Sequence, residues 1–185
     1  ELWLNSEPCR YTDKEVEIGI RFIALHLAPL NAKAFRTEWE IFAEEEDLAG
    51  SIDVVVKLPG ENEILLLDWK RSEKLKYKMH GYKKMEFPLN HLDLCSGTDY
   101  ALQLSTYQYV LEKYYGLKVR GRVLVDVHPN CEFSTTVPYL FDEVDYLMQR
   151  RRARVKARES LTLDPSCSHL LCKETGKLAV DPVEV

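Results

Sequence analysis

The stretch Ser51-Ile52-Asp53-Val54-Val55-Val56-Lys57-Leu58-Pro59-Gly60-Glu61-Asn62-Glu63-Ile64-Leu65-Leu66-Leu67-Asp68-Trp69-Lys70 decides how this chain is read. Two β-rich runs flank a Pro-Gly-Glu-Asn segment, which is the pattern of a hairpin. If the loop is Gly60 and Glu61 alone, Pro59 pairs with Asn62 and the same register sets Asp53 opposite Asp68. Directly opposed residues have Cβ atoms about 4.5–5.5 Å apart, and like charges there repel. A bound cation removes that repulsion. Lys70 lies two residues beyond Asp68, so strand alternation puts it on the same face. Mg²⁺ takes hard oxygen ligands, typically one or two carboxylates plus water and substrate phosphate. Such an ion acidifies a bound water and neutralises a phosphoryl oxygen, while a nearby ammonium positions the attacking water or stabilises the crowded phosphorus. Two acids and a lysine on one face therefore suit a phosphodiesterase that uses Mg²⁺ or Mn²⁺.

Outward from the hairpin, the pattern predicts helices and strands in alternation. Thr12-Asp13 caps a helix over 14–27, with Val16, Ile20, Ile23 and Leu27 at helical spacing and Pro29 beyond its end. Residues 35–42 alternate as a strand, with Glu38 and Glu40 on one side and Trp39 and Ile41 on the other. Residues 73–98 carry Gly81, Pro88, Asn90 and Gly97 with little periodicity, and read as a long insertion of the sort that is often functional. A helix over 99–115 follows, with Leu104, Tyr107 and Leu111 on one stripe and Gly116 to end it. Strands are expected over 119–127 and 131–137, then a helix from 141 to about 160, then a tail without clear period. The succession points to an α/β fold, a mixed sheet flanked by helices with an αβββαβ core.

The chain has 185 residues with 45% apolar content, which suits one domain over 1–185 with a substantial core. It opens at Glu1 rather than Met, as a piece of a longer protein would. Five scattered cysteines, Cys9, Cys95, Cys131, Cys167 and Cys172, form no CxxC pair, which argues against a disulfide scaffold or a structural zinc site and favours an intracellular setting, nucleus or cytoplasm. No apolar run reaches the roughly 18–20 residues of a membrane span. The net charge is −5, yet residues 70–84 hold seven Lys/Arg against one Glu, and 150–158 hold six with no acid, while Glu44, Glu45, Glu46 and Asp47 cluster elsewhere. Such segregation can give an acidic protein a local positive field for a polyanion. In the first cluster Lys76, Lys78, Lys83 and Lys84 are interleaved with Tyr77, His80 and Tyr82, as in a loop that holds phosphates and stacks bases.

The motifs Gly50-Ser51-Ile52-Asp53 and Asp68-Trp69-Lys70 resemble the G-x-x-D and D-x-K signatures of the PD-(D/E)XK nuclease superfamily, and Gln103-Leu104-Ser105-Thr106-Tyr107 resembles the Q-x-x-x-Y motif of its RecB-like exonuclease branch. The resemblance covers roughly residues 17–127. It implies a restriction-endonuclease-like core, divalent-metal catalysis and a nucleic-acid substrate, DNA before RNA. Carried over, Asp53 and Asp68 bind metal, the main-chain carbonyl of Trp69 adds a ligand, and Lys70 is the catalytic lysine. Gln103 and Tyr107 support the site and the DNA strand, and Glu38 stands in the place of an upstream acid on the first strand. The branch often has a histidine soon after a glycine on the first helix; here His26 lies seven residues after Gly19, a departure from that pattern.

The alternatives are an RNA endonuclease of the cap-snatching type, which uses a similar acid-and-lysine metal site, and a non-catalytic nucleic-acid-binding module of a larger replication or repair protein. Further domains or a helicase partner are compatible with either enzyme.

Overall fold

The computed structural model describes residues 13–163; Thr12, Cys9 and the tail with Cys167 and Cys172 lie outside the described residues. The elements are α1 (Lys14–Phe22), β1 (Lys33–Ala43), β2 (Leu48–Lys57), β3 (Glu63–Lys70), α2 (Ser96–Tyr114), β4 (Lys118–His128), β5 (Cys131–Thr136) and α3 (Phe141–Leu163). This is the expected α/β succession. The five strands form one sheet in the order β1-β2-β3-β4-β5. Only β3 and β4 run parallel, because α2 carries the chain across between them; every other neighbouring pair is antiparallel.

The central strands read as near-continuous apolar runs because both faces of the sheet are covered. On one face Val54, Val56, Leu67 and Val125 pack with Phe22 and Leu27 from the α1 side. On the other, Ile52, Val55, Leu66 and Leu124 pack with Leu104 and Leu111 of α2 and with Val144 and Met148 of α3. Gly116 ends α2 as expected, with φ +66 in the left-handed region that glycine adopts freely.

The first helix departs from its expected stripe. Asp13 is extended and its carbonyl receives Val16 N at 3.1 Å, but its side chain makes no cap bond. Ile18, Gly19 and Phe22 are the buried positions and Val16 is exposed. The α-helix stops at Phe22 and continues as a π-helical turn, Ile23–Leu27, so one 3.6-residue period cannot run through to Leu27.

The two charge runs also behave differently from a pair of separate fields. The short turn Glu44–Glu46 meets the basic face of α3. Glu46 is fully buried, accepts from Tyr114 Oη at 2.7 and 3.0 Å, and pairs with Arg152 Nε at 3.2 Å and Lys113 Nζ at 3.4 Å. Arg151 donates to the main-chain carbonyls of Glu46 and Asp47, and Arg158 pairs with Asp47 at 2.7 Å. Burial, the largest cause, and the Glu46 and Glu45 acceptors push the Tyr114 phenol up to about 12, although Lys113 opposes them. Much of the positive charge of α3 is therefore spent inside the protein. Glu46→Ala should lower unfolding free energy by about 3 kcal/mol, the lower end for removing one partner of a buried pair, because Lys113 and Arg152 still reach solvent. Denaturant titration measures that loss, and an unchanged midpoint would show the cluster to be energetically idle.

Candidate active site

The hairpin register agrees with the sequence, though its loop does not. The ladder runs from Lys57↔Ile64 to Val54↔Leu67, and Leu58 N donates to Glu63 O at 2.8 Å. Pro59, Gly60, Glu61 and Asn62 all lie in the turn, so the loop is longer than the two residues expected, and Asn62 takes φ +56. The sum of paired numbers is unchanged, and Asp53 and Asp68 occupy the next facing positions beyond the last pair. There the strands stop exchanging main-chain bonds and a side chain takes over: Trp69 N donates to Asp53 Oδ2 at 2.8 Å. In an extended strand the N–H and C=O of one residue point to the same side. The Trp69 carbonyl therefore faces the Asp53 side as well.

Strand phase changes at this point. Alternation along β2 would group Ile52 with Val54, yet Ile52 packs with Val55 on the α2 side. Across the pair, the β1 ladder steps from Thr37↔Val54 to Trp39↔Ile52. Glu38, in the intervening position across from Asp53, has φ +44. A non-glycine residue held there costs of order 1–3 kcal/mol and persists only where its surroundings enforce it. Glu38 itself is exposed.

On β3, Asp68 is 3% exposed and Lys70 Nζ stands 2.5 Å from its Oδ2. The contact is an ion pair by distance; no directed hydrogen bond reaches Oδ2. Burial raises the Asp68 carboxyl above its ordinary value, Lys70 pulls it down less strongly, and the Asp53 charge adds a smaller upward push. The repulsion between the two acids, inferred from sequence, is thus present but secondary to desolvation. The Lys70 ammonium lies 4.8 Å from the centre of the Tyr100 ring on α2, which places Asp68 and Lys70 on the α2 face.

Gln103 and Tyr107 are brought together one turn apart, with Gln103 Nε2 donating to Tyr107 Oη at 3.0 Å. The tyrosine ring lies over Gly50, where a Cβ would meet its Cε1 at 2.6 Å. That contact explains the glycine three residues before Asp53 and ties the helix motif to the strand motif. His26 is not brought to these residues. It is exposed on the α1 side, with its ring 4.9 Å from that of Phe22.

The insertion is ordered by a short helical turn, Leu75–Lys78, and a small hairpin in which Leu94 N donates to Lys83 O and Met85 N to Leu92 O. Lys76, Lys78, Lys83 and Lys84 are all exposed. Lys84 is engaged locally, with Asp93 Oδ1 at 2.7 Å and the His91 carbonyl at 3.3 Å.

Asp126 is a residue that the sequence did not single out. It sits beside Lys70 in the parallel pair, is fully buried, and its Oδ1 accepts from Ser72 N at 3.1 Å and His128 N at 3.0 Å, while Oδ2 has no hydrogen-bond partner. It pins the chain as it leaves β3. An acid between two valines on a buried strand, Val125-Asp126-Val127, was the available signal.

The donor set tests as follows for a divalent ion. Asp53 and Asp68 are hard oxygen donors on neighbouring strands, which fits the two-carboxylate binding of Mg²⁺ or Mn²⁺ completed by water and phosphate. Among the described residues no three His, Cys, Asp or Glu side chains converge on one point, so an all-protein cage is not the arrangement here.

No family model and no curated protein matches the chain. A similar solved structure is described as "Crystal structure of SSO0001", at 15% identity and a TM-score of 0.36, covering 74% of this chain. The match spans about half of that protein, 55% of its length, and at this TM-score it carries no argument. Among the described residues no helix is long and apolar enough to cross a membrane.

The Asp68 carboxyl is raised, so its contribution to stability is present below 3.8 and is lost as pH rises through the raised value. Asp68→Asn should therefore unfold at higher temperature than the parent at neutral pH in chelator, by roughly 2–4 °C per kcal/mol recovered, with the two converging in acid. Thermal unfolding across pH checks this. A less stable variant at neutral pH would make Asp68 a structural acceptor.

Proposed function

We propose that the protein is a divalent-metal-dependent nuclease of the PD-(D/E)XK type, built on a restriction-endonuclease-like core and hydrolysing phosphodiester bonds, with DNA as the preferred substrate. The observation that carries it is the buried Asp68 carboxylate on the middle strand, with Lys70 Nζ at 2.5 Å and Asp53 across the strand pair. Burial outweighs the Lys70 pairing at this carboxylate, and groups perturbed by desolvation beside a specific charge partner concentrate at functional sites.

Asp53, Asp68 and the Trp69 carbonyl would hold Mg²⁺ or Mn²⁺. When bound, the ion supplies acidification of a water and neutralisation of charge on the phosphate. Asp53 uses one oxygen to fix the Trp69 amide, which orients the carboxylate and leaves Oδ1 for the cation. Lys70 is partly exposed and held between Asp68 and the Tyr100 ring, so its ammonium can reach a phosphoryl oxygen or an attacking water. Glu38 stands on β1 between the positions paired with Val54 and Ile52, and its left-handed backbone is of the kind that clusters at functional sites. Gln103 and Tyr107 brace β2 beneath Asp53 and present the exposed Gln103 amide to a strand. The preference for DNA rests on the resemblance of this pair to the exonuclease branch.

Purified protein should degrade DNA with Mg²⁺ or Mn²⁺ and stop with chelator; parallel digestion of single-stranded DNA, duplex DNA and RNA distinguishes the cap-snatching alternative. Lys70→Ala should reduce turnover by about 10²–10³-fold while leaving metal affinity nearly unchanged, as calorimetry with Mn²⁺ would show. Near-parental turnover in that variant removes Lys70 from the mechanism.

Of Lys76, Lys78, Lys83 and Lys84, Lys84 is held by Asp93, so phosphate contacts fall to the other three. Changing those three to Gln should reduce the slope of log K against log salt by about 2 to 3, while Lys84→Gln alone leaves it nearly unchanged. Filter binding across a salt series measures both slopes, and equal effects would place Lys84 on the substrate path.

A further inference from the structure

The cross-sheet registers arrange the α2 face in rows. Asp68 on β3 aligns with Leu124 on β4, and Leu124 with Thr135 on β5; Lys70 aligns with Asp126, and Asp126 with Phe133. Residues paired in register share a face, so Thr135 and Phe133 lie on the same side of the sheet as Asp68 and Lys70. They are two strands away, about 10 Å at the usual strand spacing.

A cleft of about 500 Å³ opens there, between the insertion, the first turn of α2 and β5. Phe133 and Met79 give it apolar surface, Thr98 and Thr135 bring hydroxyls, and Lys76 and His80 come from the insertion. Thr135 donates its hydroxyl to Thr136 O at 3.2 Å, which keeps the oxygen's lone pairs available as acceptors. Lys76 and His80 are exposed, whereas Phe133, Thr98 and Thr135 are half-buried, so Lys76 and His80 sit outermost. Apolar surface with a few hydroxyls inside and basic groups at the mouth is complementary to a nucleoside carrying a phosphate.

We propose that this cleft seats one nucleoside of the substrate, base and sugar together, next to the phosphodiester that Asp68 and Lys70 engage. The proposal rests on the nuclease reading for its place in catalysis, but binding in the cleft can be measured without cleavage. The base enters against Phe133 and Met79, the hydroxyls of Thr98 and Thr135 meet its polar edge, and the flanking phosphate lies toward Lys76 and His80. Base preference at one position beside the cut follows.

The test is titration of the intact protein, in chelator, with each deoxy- and ribonucleoside 5′-monophosphate and with inorganic phosphate, followed by amide chemical shifts. At least one mononucleotide should perturb Thr98, Phe133 and Thr135 and bind about tenfold or more tightly than inorganic phosphate. Thr135→Phe, which fills the cleft from an edge strand, should weaken that mononucleotide about tenfold and flatten base preference in cleavage of oligonucleotides. Thr98→Val removes one hydroxyl at nearly constant volume and should shift base preference if the larger substitution fails to fold. Mononucleotide binding at these residues in a protein that cleaves no nucleic acid would overturn the nuclease reading and leave the cleft's ligand standing. Cleavage that proceeds with unchanged base preference in both threonine variants, with mononucleotides no better than phosphate, overturns the cleft proposal alone.

Discussion

Burying Asp68 on the middle strand removes a charge from water, and the surrounding structure is organised around that cost. Lys70 offsets part of it from two residues along the same strand, and Tyr100 steadies the ammonium from α2. Asp53 does not pair with Asp68 as a strand neighbour; it binds the Trp69 amide just where the β2–β3 ladder ends. Asp126 then holds the chain at Ser72 as it leaves the strand. Three carboxylates thus frame the end of β3 and the residues that follow it, Asp53 and Asp126 by accepting main-chain hydrogen bonds and Asp68 by pairing with Lys70.

The long helix α2 links that strand to everything around it. It carries the crossover that makes β3 and β4 parallel, lays Tyr107 on Gly50, and sets Tyr100 beneath Lys70. Its far end joins α3 through the buried Glu46 cluster, where Arg151, Arg152 and Arg158 of the basic run meet the acidic turn. The exposed cations near Asp68 come from the insertion, which follows β3 directly. Lys76 and His80 border the cleft, while Lys84 is turned back onto Asp93.

The two faces of the sheet are unequal. On the α1 side Phe22, Leu27 and Trp69 pack together, and His26 borders a smaller cleft of about 290 Å³ with Asp126 and Glu132. The α2 side bears Asp68, Lys70 and the cleft over β5.

Local pattern by itself determined the strand and helix succession, the β2–β3 register as far as Val54↔Leu67 and the shared face of Asp68 and Lys70, because alternation and hairpin pairing are set by neighbours in the chain. It also supplied the one-turn spacing of Gln103 and Tyr107, which their hydrogen bond realises. The buried stripe of α1 was not legible, since a π-helical turn shifts the phase after Phe22. Neither was the left-handed Glu38, the fit of Tyr107 over Gly50, nor the use of Asp126 as a main-chain acceptor. The Arg150–158 run read as a local positive field, and only packing of α3 on the Glu44–Glu46 turn gave Arg151, Arg152 and Arg158 their partners. In each of these cases the deciding contact joins segments distant in sequence, and a one-dimensional pattern carries the residue types but not which distant group will satisfy a buried charge or fill the space above a glycine.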